Sequence, residues 1–345
     1  MNEAYTIGLD IAKNKFQVHG EDRQGKKVFN KQLARKDVLP FFANHPACLV
    51  GLEACGGAHY WAREISKLGH DVRLIPPRQV KPFVINNKTD AADARAICEV
   101  VRRPATTFVQ VKTVDQQHLA ALHRVRERFV GNRTALANQI RGLLQEEGIV
   151  LPRGIRHIHQ DLPRLLENDD GMLSEFSRNL FAELLAEIRM WDEKIKEIEK
   201  RLEQMAKADV NCSRLLKIPG VGLLTATAVV AHMGSAKQFK NGRQFAACLG
   251  LTPREYSSGG KQKLLGISKR GNTYIRKLLI QGARVICRWW NQMEAAPEQW
   301  RRLWLKQLTA RRGKFVAAVA QANKTARIMW NVLARGVEYD EFSRV

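Results

Sequence analysis

The hydrophobic period of this chain changes once, near Thr113, and that change limits the folds open to it. Upstream, apolar residues alternate or run in short blocks between turn residues, the pattern of strands with intervening helices. "YTIGLDIA" and "KFQVHGED" read as strands joined by the polar "KNK", and "GKKVFNKQL" as a third strand after the "RQG" turn, so the first three strands form a meander. "RKDVLPFFANH" reads as a short helix, "ACLVGLEA" as a buried strand, "AHYWAREISKLG" as a helix ended by Gly69, and "HDVRLIPP" as a strand stopped by proline. A helix containing Asp90 and Asp93 completes the order βββαβαβα.

Carboxylates interrupt this apolar framework at telling places. Asp10 lies inside "TIGLDIA" and Glu53 inside "ACLVGLEA"; a charge in a buried strand costs several kcal/mol unless it is paired or metal-bound. In "NNKTDAADARAI", Asp90 and Asp93 are three apart, on one face of a helix. If the first and fourth strands are parallel neighbours, Asp10 and Glu53 meet at the sheet's end and the helix brings the other two across them. Four clustered carboxylates raise one another's pKa values, a penalty that a divalent cation removes. Hard oxygen donors select magnesium or manganese over zinc. The plainer reading of Asp90 is a favourable charge at a helix N-terminus, worth about 0.3–1 kcal/mol. An actin-like ATPase opening is a further reading of "GLDIAKNKF", but the later glycine-rich nucleotide loops are missing. The strand and helix order, with acids on the first strand, the fourth strand and the last helix, is that of a ribonuclease H-like domain.

Downstream of Thr113 the pattern is helical. "TVDQQHLAALHRVRERFVGNRTALANQIRGLLQEEG" is long and basic, and "PRGIRHIHQDLP" is expected to interrupt it with two prolines. Leu184, Ile188, Trp191, Ile195, Ile198, Leu202 and Met205 then recur at steps of four and three, a coiled-coil seam. That seam suits either a hairpin with the preceding helix or an oligomerisation arm. "LLKIPGVGLLTATAVVAHMG" resembles a helix-hairpin-helix, whose glycines let backbone N–H groups approach a phosphate; a tight packing turn is the alternative. The expected fold class is therefore α/β plus α: a ribonuclease H-like domain (1–112), a long helical coiled-coil arm (113–208), and a mainly helical C-terminal domain with a helix-hairpin-helix-like element (209–345).

Charge narrows the partners. Lys and Arg total 57 against 34 Asp and Glu, a formal net charge of +23, so the molecule's field attracts polyanions and nucleic acid is the expected partner. The most apolar run is too short to span a bilayer core of about 30 Å. The six cysteines are scattered without zinc spacing, as in a reduced cytoplasmic protein, and "MNEAYTIG" lacks the positive charge of a signal peptide. His157 and His159 read as surface or phosphate-contacting residues rather than a metal site.

The other informative stretch is "CLGLTPREYSSGGKQKLLGISKRGNTYIRKLLIQGARVICRWW". Ser257 and Ser258 precede two glycines and are flanked by Arg254, Lys261, Lys263, Lys269 and Arg270. Glycine gives backbone access, and the cations would stabilise charge developing on a phosphate. The following helix places Lys277, Gln281, Arg284 and Arg288 on one face, read as turned toward DNA. Serine in a polar loop is mostly ordinary turn chemistry.

Taken in order, "TIGLDIAKNKFQVHG", "VGLEACGGAHYWAREI", "NKTDAADARAI", "LLKIPGVGLLTA" and "LGLTPREYSSGGKQKLLGISKRGNTYIRKLL" resemble the bacterial insertion-sequence transposases with a RuvC-like DEDD domain. These form the family numbered one-ten, in its eleven-eleven branch, related to the Piv DNA invertase. The resemblance spans nearly the whole chain. It implies a metal-binding DEDD set at Asp10, Glu53, Asp90 and Asp93, served by Mg2+ or Mn2+, and a serine nucleophile at Ser258, with Ser257 beside it leaving that assignment slightly open. It also implies a recombinase guided by a structured noncoding RNA that pairs with donor and target DNA. The active site would be composite between protomers of a homo-oligomer, a dimer or tetramer, working at the nucleoid. The rival readings are a RuvC-like junction resolvase or nuclease that uses water, and a nucleic-acid-binding protein with a dead acidic site.

Overall fold

The computed structural model describes residues 3–85, 87, 89–168, 172–292 and 300–340. Asn86 and Lys88, within the quoted acidic stretch, lie outside the described residues. The chain divides into two compact units, Met1–Thr113 and Val114–Val345.

The first unit is a five-stranded sheet of order β3-β2-β1-β4-β5. Strands β1 (Thr6–Asp10), β2 (Lys15–Glu21) and β3 (Lys27–Ala34) form the expected antiparallel meander. Strands β4 (Leu49–Glu53) and β5 (Asp71–Ile75) extend the sheet in parallel on the other side of β1. Side chains alternate across the sheet, and Ile7, Leu9, Val50 and Leu52 bury one face with Phe16, Trp61, Ala62 and Ile65. Helices α1 (Val38–Ala43) and α2 (Ala58–Lys67) cover that face. After β5, the single turn α3 (Pro77–Val80) leads to α4 (Asp90–Val101), whose Ala96, Ile97, Val100 and Val101 pack with Ile75 and Val80 on the opposite face.

Among its described residues, the second unit is helical apart from one hairpin. Helices α5 (Val114–Glu146) and α7 (Glu175–Ala208) run antiparallel, joined across by Arg126–Glu199 at 2.6 Å, Arg133–Asp192, and the Phe129 and Trp191 rings at 5.4 Å. The heptad seam is consumed inside this pair: Ile188 packs with Leu136, Ile140 and Leu144, while Ile198 and Leu202 pack with Leu119 and Ala120. Of the two arrangements its spacing allowed, the structure shows the intrachain hairpin.

The "PRGIRHIHQDLP" stretch interrupts the helical region at its first proline, Pro152, within the non-helical residues 147–154, but not at its second. It forms helix α6 (Ile155–Glu167), with Pro163 inside. Ile158 and Leu162 are fully buried against α7, and His159 reaches Asp192 at 2.9 Å, so tertiary burial outweighs the hydrogen bond that proline removes. His157 pairs with Asp161 at 2.9 Å, which gives both histidines structural partners.

Helices α8 (Val210–Leu216) and α9 (Leu223–Met233) flank the "IPGVG" turn. Buried on every side, α9 is the central helix of the unit. It packs against α5, α7, α8 and α11 (Thr273–Gln292), and the unit is completed by α10 (Gly242–Cys248), the hairpin β6 (Pro253–Glu255) and β7 (Leu264–Ile267), and helices α12 (Trp300–Arg312) and α13 (Lys314–Arg335), with α12 packed on α11 and α13. Gly220 has φ +78°, and an added Cβ would lie 2.5 Å from Ile286 and 3.0 Å from the Gly282 carbonyl. This glycine serves close packing of the turn on α11, whereas Gly222 at the start of α9 faces open space.

Candidate active site

Three elements deliver the four acids to one end of the sheet. Asp10 ends β1 and Glu53 ends β4, each one residue past the paired Leu9 and Leu52 of these parallel neighbours. Residues two apart on a strand share a face, so Gly8 shares a face with Asp10, and Gly51 with Glu53. These two glycines let α4 lie directly on the strands. A Cβ at Gly8 would sit 2.0 Å from the Ala94 carbonyl oxygen, and one at Gly51 would sit 2.9 Å from Val101. Asp93 precedes Ala94, so contact at Gly8 carries the start of α4 to the acid end of β1.

The helix start is itself specified locally. Thr89 is extended and caps α4, its Oγ1 accepting from the Ala92 N–H at 3.2 Å while its carbonyl accepts from the Asp93 N–H at 2.9 Å. Asp90 and Asp93 occupy the first turn, where the helix dipole favours negative charge. At the other end, Arg102 pairs with buried Glu21 of β2, which also bonds His19 at 3.1 Å. The helix is thus fixed at both ends and at its two glycine contacts.

Electrostatics join the four groups. Burial, then Asp93, Asp90 and Glu53 in that order, push the Asp10 carboxyl from its ordinary 3.8 up to about 6. Burial, with Glu53 and Asp10, also raises the Cys55 thiol. The donors are hard carboxylate oxygens in mutual repulsion, a set whose chemistry suits a divalent ion. Among the described residues no three acid, histidine or cysteine side chains converge on one ligating point.

Ser258 lies on a hairpin rather than in the loop expected of its polar sequence. It bridges Lys261 across Gly259 and Gly260, at φ +55° and +75°, a two-residue turn that glycine permits at both positions. Ser257 is engaged within the hairpin: its Oγ donates to Glu255 at 2.7 Å and accepts from the Lys263 N–H at 3.2 Å. The Ser258 hydroxyl is exposed and has no hydrogen-bond partner among the described residues. Buried Arg276, which no sequence pattern marks, holds the hairpin's base by donating to the Leu249 and Arg270 carbonyls at 3.0 and 2.9 Å. Gly250 and Gly271 complete this anchor, each so close to neighbouring backbone that a Cβ would clash.

Arg254, Lys261, Lys263, Lys269 and Arg270 are all exposed around the hairpin. On α11, Lys277, Gln281, Arg284 and Arg288 form the expected exposed face, while Ile275, Leu279, Ala283 and Ile286 are buried. Lys277 is partly neutralised by Glu127 of α5 at 2.6 Å. No helix of the described residues is long and apolar enough to cross a membrane.

Comparison with known proteins finds two matching families, one in each part of the chain. Residues 7–148 match the DEDD transposase family of IS110 elements, and residues 212–298 match the family described as Transposase IS116/IS110/IS902. The chain is 47% identical over 335 residues to a probable family 20 transposase of Pseudomonas aeruginosa, covering 96% of this chain and 98% of the relative. It is 43% identical to the transposase for insertion sequence element IS1111A of Coxiella burnetii, covering 98% of this chain and 92% of the relative. The transposase for element IS1328 of Yersinia enterocolitica is 41% identical, with 97% and 98% covered. Similarity to the pilin gene-inverting protein of Moraxella bovis is distant, 24% identical over 83% of this chain and 84% of the relative, so the expected kinship with an invertase is a distant likeness. Coverage of nearly the full length at these identities places the chain in the IS116/IS110/IS902 family of insertion-sequence transposases.

Proposed function

We propose that this protein cuts and rejoins DNA as the transposase of an insertion sequence, through a transient serine-DNA phosphoester and under the guidance of a structured noncoding RNA. The observation that carries the reading is the gathering of Asp10, Glu53, Asp90 and Asp93 at one sheet end, where Asp10 is pushed up to about 6 by burial and by the other three. These residues would hold Mg2+ or Mn2+, which when bound neutralises their charge and supplies electrophilic polarisation of a phosphodiester. Ser258 is the nucleophile: its Oγ forms a bond to phosphorus and gives up its proton, the phosphorus–oxygen bond to the leaving strand breaks, and the departing oxygen takes up a proton. The free Ser258 hydroxyl supports this assignment over Ser257, whose hydroxyl is held by Glu255. Arg254, Lys261, Lys263, Lys269 and Arg270 stabilise the added negative charge, and Lys277, Arg284 and Arg288 hold nucleic acid. The functional segments are 1–112, 113–208 and 209–345, acting in a homo-oligomer, a dimer or tetramer.

Denaturing electrophoresis with labelled donor DNA tests the chemistry. Ser258→Ala is expected to abolish the labelled protein band and strand exchange while DNA and RNA binding persist; Ser257→Ala retains both. Cleavage that survives in Ser258→Ala without any adduct would falsify the serine step and leave a metal-dependent nuclease that uses water.

A further inference from the structure

Beside the acid end of the sheet, on the face covered by α2 rather than α4, lies a groove of about 380 Å³. It is lined by the β1–β2 turn, Arg35, the Cys55–Gly57 loop, Tyr60 and Trp61. That volume is within the range of about 300–1,000 Å³ typical of small-ligand sites. Its charged groups, Lys13 and Arg35, are both cations. Lys13 and Arg35 are exposed, and neither has a carboxylate partner among the described residues, although Asp10 and Glu53 stand at the neighbouring strand ends and Asp90 and Asp93 at the start of α4. The sheet end is therefore divided into an acidic side and a basic side.

The basic side is built rather than incidental. The Arg35 guanidinium lies 5.1 Å from the Trp61 ring centroid and donates to the Lys13 carbonyl at 3.4 Å, which leaves its other N–H groups for a ligand. Trp61 is buried and packs edge-on to Phe16 at 4.9 Å, so the platform beneath Arg35 is fixed. Tyr60 is 43% exposed and stands edge-on to Trp61 at 5.3 Å, presenting an aromatic surface at the groove's rim. Nothing lies within 4 Å of where a Gly56 Cβ would project, so the floor of the loop is open. Paired cations with an exposed aromatic are the elements that hold a nucleotide, the cations taking phosphate and the ring taking sugar or base.

We infer that this groove holds the nucleotide of the DNA strand next to the reacting phosphate, with Lys13 and Arg35 on its phosphate and Tyr60 against its base. The inference rests on the function proposed above, because it takes the neighbouring acids as the place where that strand reacts. It gives the first unit a means of registering the strand before chemistry: the acids attract metal but repel bare phosphate, whereas the groove attracts phosphate without metal.

The test uses the full chain as purified, in chelator, with terminal DNA of its own element carrying 5-iododeoxyuridine at one position at a time. Ultraviolet irradiation is expected to join Tyr60 to the iodinated base only at positions flanking the cleaved phosphate, as read by peptide mass spectrometry, and Tyr60→Leu is expected to lose that adduct. Lys13→Gln and Arg35→Gln should each weaken binding several-fold and lower the slope of log affinity against log salt by about 0.7–0.9, the loss of one phosphate contact. Lys13 lies in an exposed turn, so its variant remains decisive should Arg35→Gln disturb the Trp61 platform. The inference is overturned by adducts confined to other residues, by Tyr60 adducts to RNA alone, or by unchanged affinity and salt slope in Lys13→Gln. Normal metal-dependent cleavage with no Tyr60 adduct counts against the groove alone. An intact adduct in a protein that never cleaves counts against the proposed chemistry and leaves the groove in place.

Discussion

Ionising Asp10 in the metal-free protein adds a negative charge to a partly buried site that already faces Glu53, Asp90 and Asp93. Its folded-state value of about 6 lies above the ordinary 3.8, so the folded protein keeps a proton that the unfolded chain releases. The corresponding stability is fully present below the unfolded value and is lost as pH rises through about 6. Asp10→Asn abolishes that titration. In chelator, the variant is expected to melt above wild type at pH 7.5, by on the order of 4 °C for each kcal/mol recovered, and to show no such advantage at pH 4. Adding Mn2+ at pH 7.5 should raise the wild-type midpoint and leave the variant nearly unmoved. A difference between the two proteins that is the same at both pH values would remove Asp10 as its source.

At the scale of elements, the placement of α4 decides whether the acids meet. Gly8→Ala sets a methyl 2.0 Å from the Ala94 carbonyl oxygen, so helix and strand must part. We expect a loss of about 1–3 kcal/mol, the usual cost of overpacking, together with a smaller Mn2+-induced gain in melting temperature because Asp90 and Asp93 move with the helix. An Ala96→Gly control on the same helix should lower stability while keeping the metal response; equal responses in the two variants would mean that the Gly8 contact does not position the acids. The strands, α2 and α4 were legible because their residues carry both pattern and punctuation: alternation in "TIGLD", Gly69 after α2, and Thr89 before α4. The acids were legible because charge in an apolar strand demands a reason. Gly8 and Gly51 were not read as helix contacts, since a glycine in a strand does not say what approaches it. Helix α6 was misread because Pro163 signals a break locally, whereas Ile158 and Leu162 are buried by partners distant in sequence. The hairpin carrying Ser258 was missed although Gly259-Gly260 is a two-residue turn signal, because β6 and β7 are short and exposed and lack apolar alternation.

For the whole molecule, the decisive quantity is a net charge of +23, the positive excess left after every Asp and Glu is set against a Lys or Arg, so that no ion pair within the fold removes it. Such a surface binds nucleic acid largely by releasing counterions, so affinity should fall steeply and linearly in log salt. The structure ranks the contributors on α11. Arg284 and Arg288 are exposed, while Lys277 is already paired with Glu127 at 2.6 Å. If this face lies on duplex DNA, Arg284→Gln combined with Arg288→Gln should reduce the salt slope by about 1.8, two phosphate contacts, with a nearly uniform loss across sequences. Lys277→Gln should change the slope less, because its charge is shared with Glu127. Exposed ion pairs are worth at most about 1 kcal/mol, so that variant should also leave stability nearly unchanged. Fluorescence anisotropy with a labelled duplex, repeated before and after ribonuclease treatment, separates the two polyanions. Ribonuclease is expected to release carried RNA and to abolish sequence preference while the nonspecific slope for duplex persists. A preparation that keeps sequence-specific recombination after complete RNA removal would show that the basic faces serve DNA alone, and the guide would have to be dropped from the mechanism.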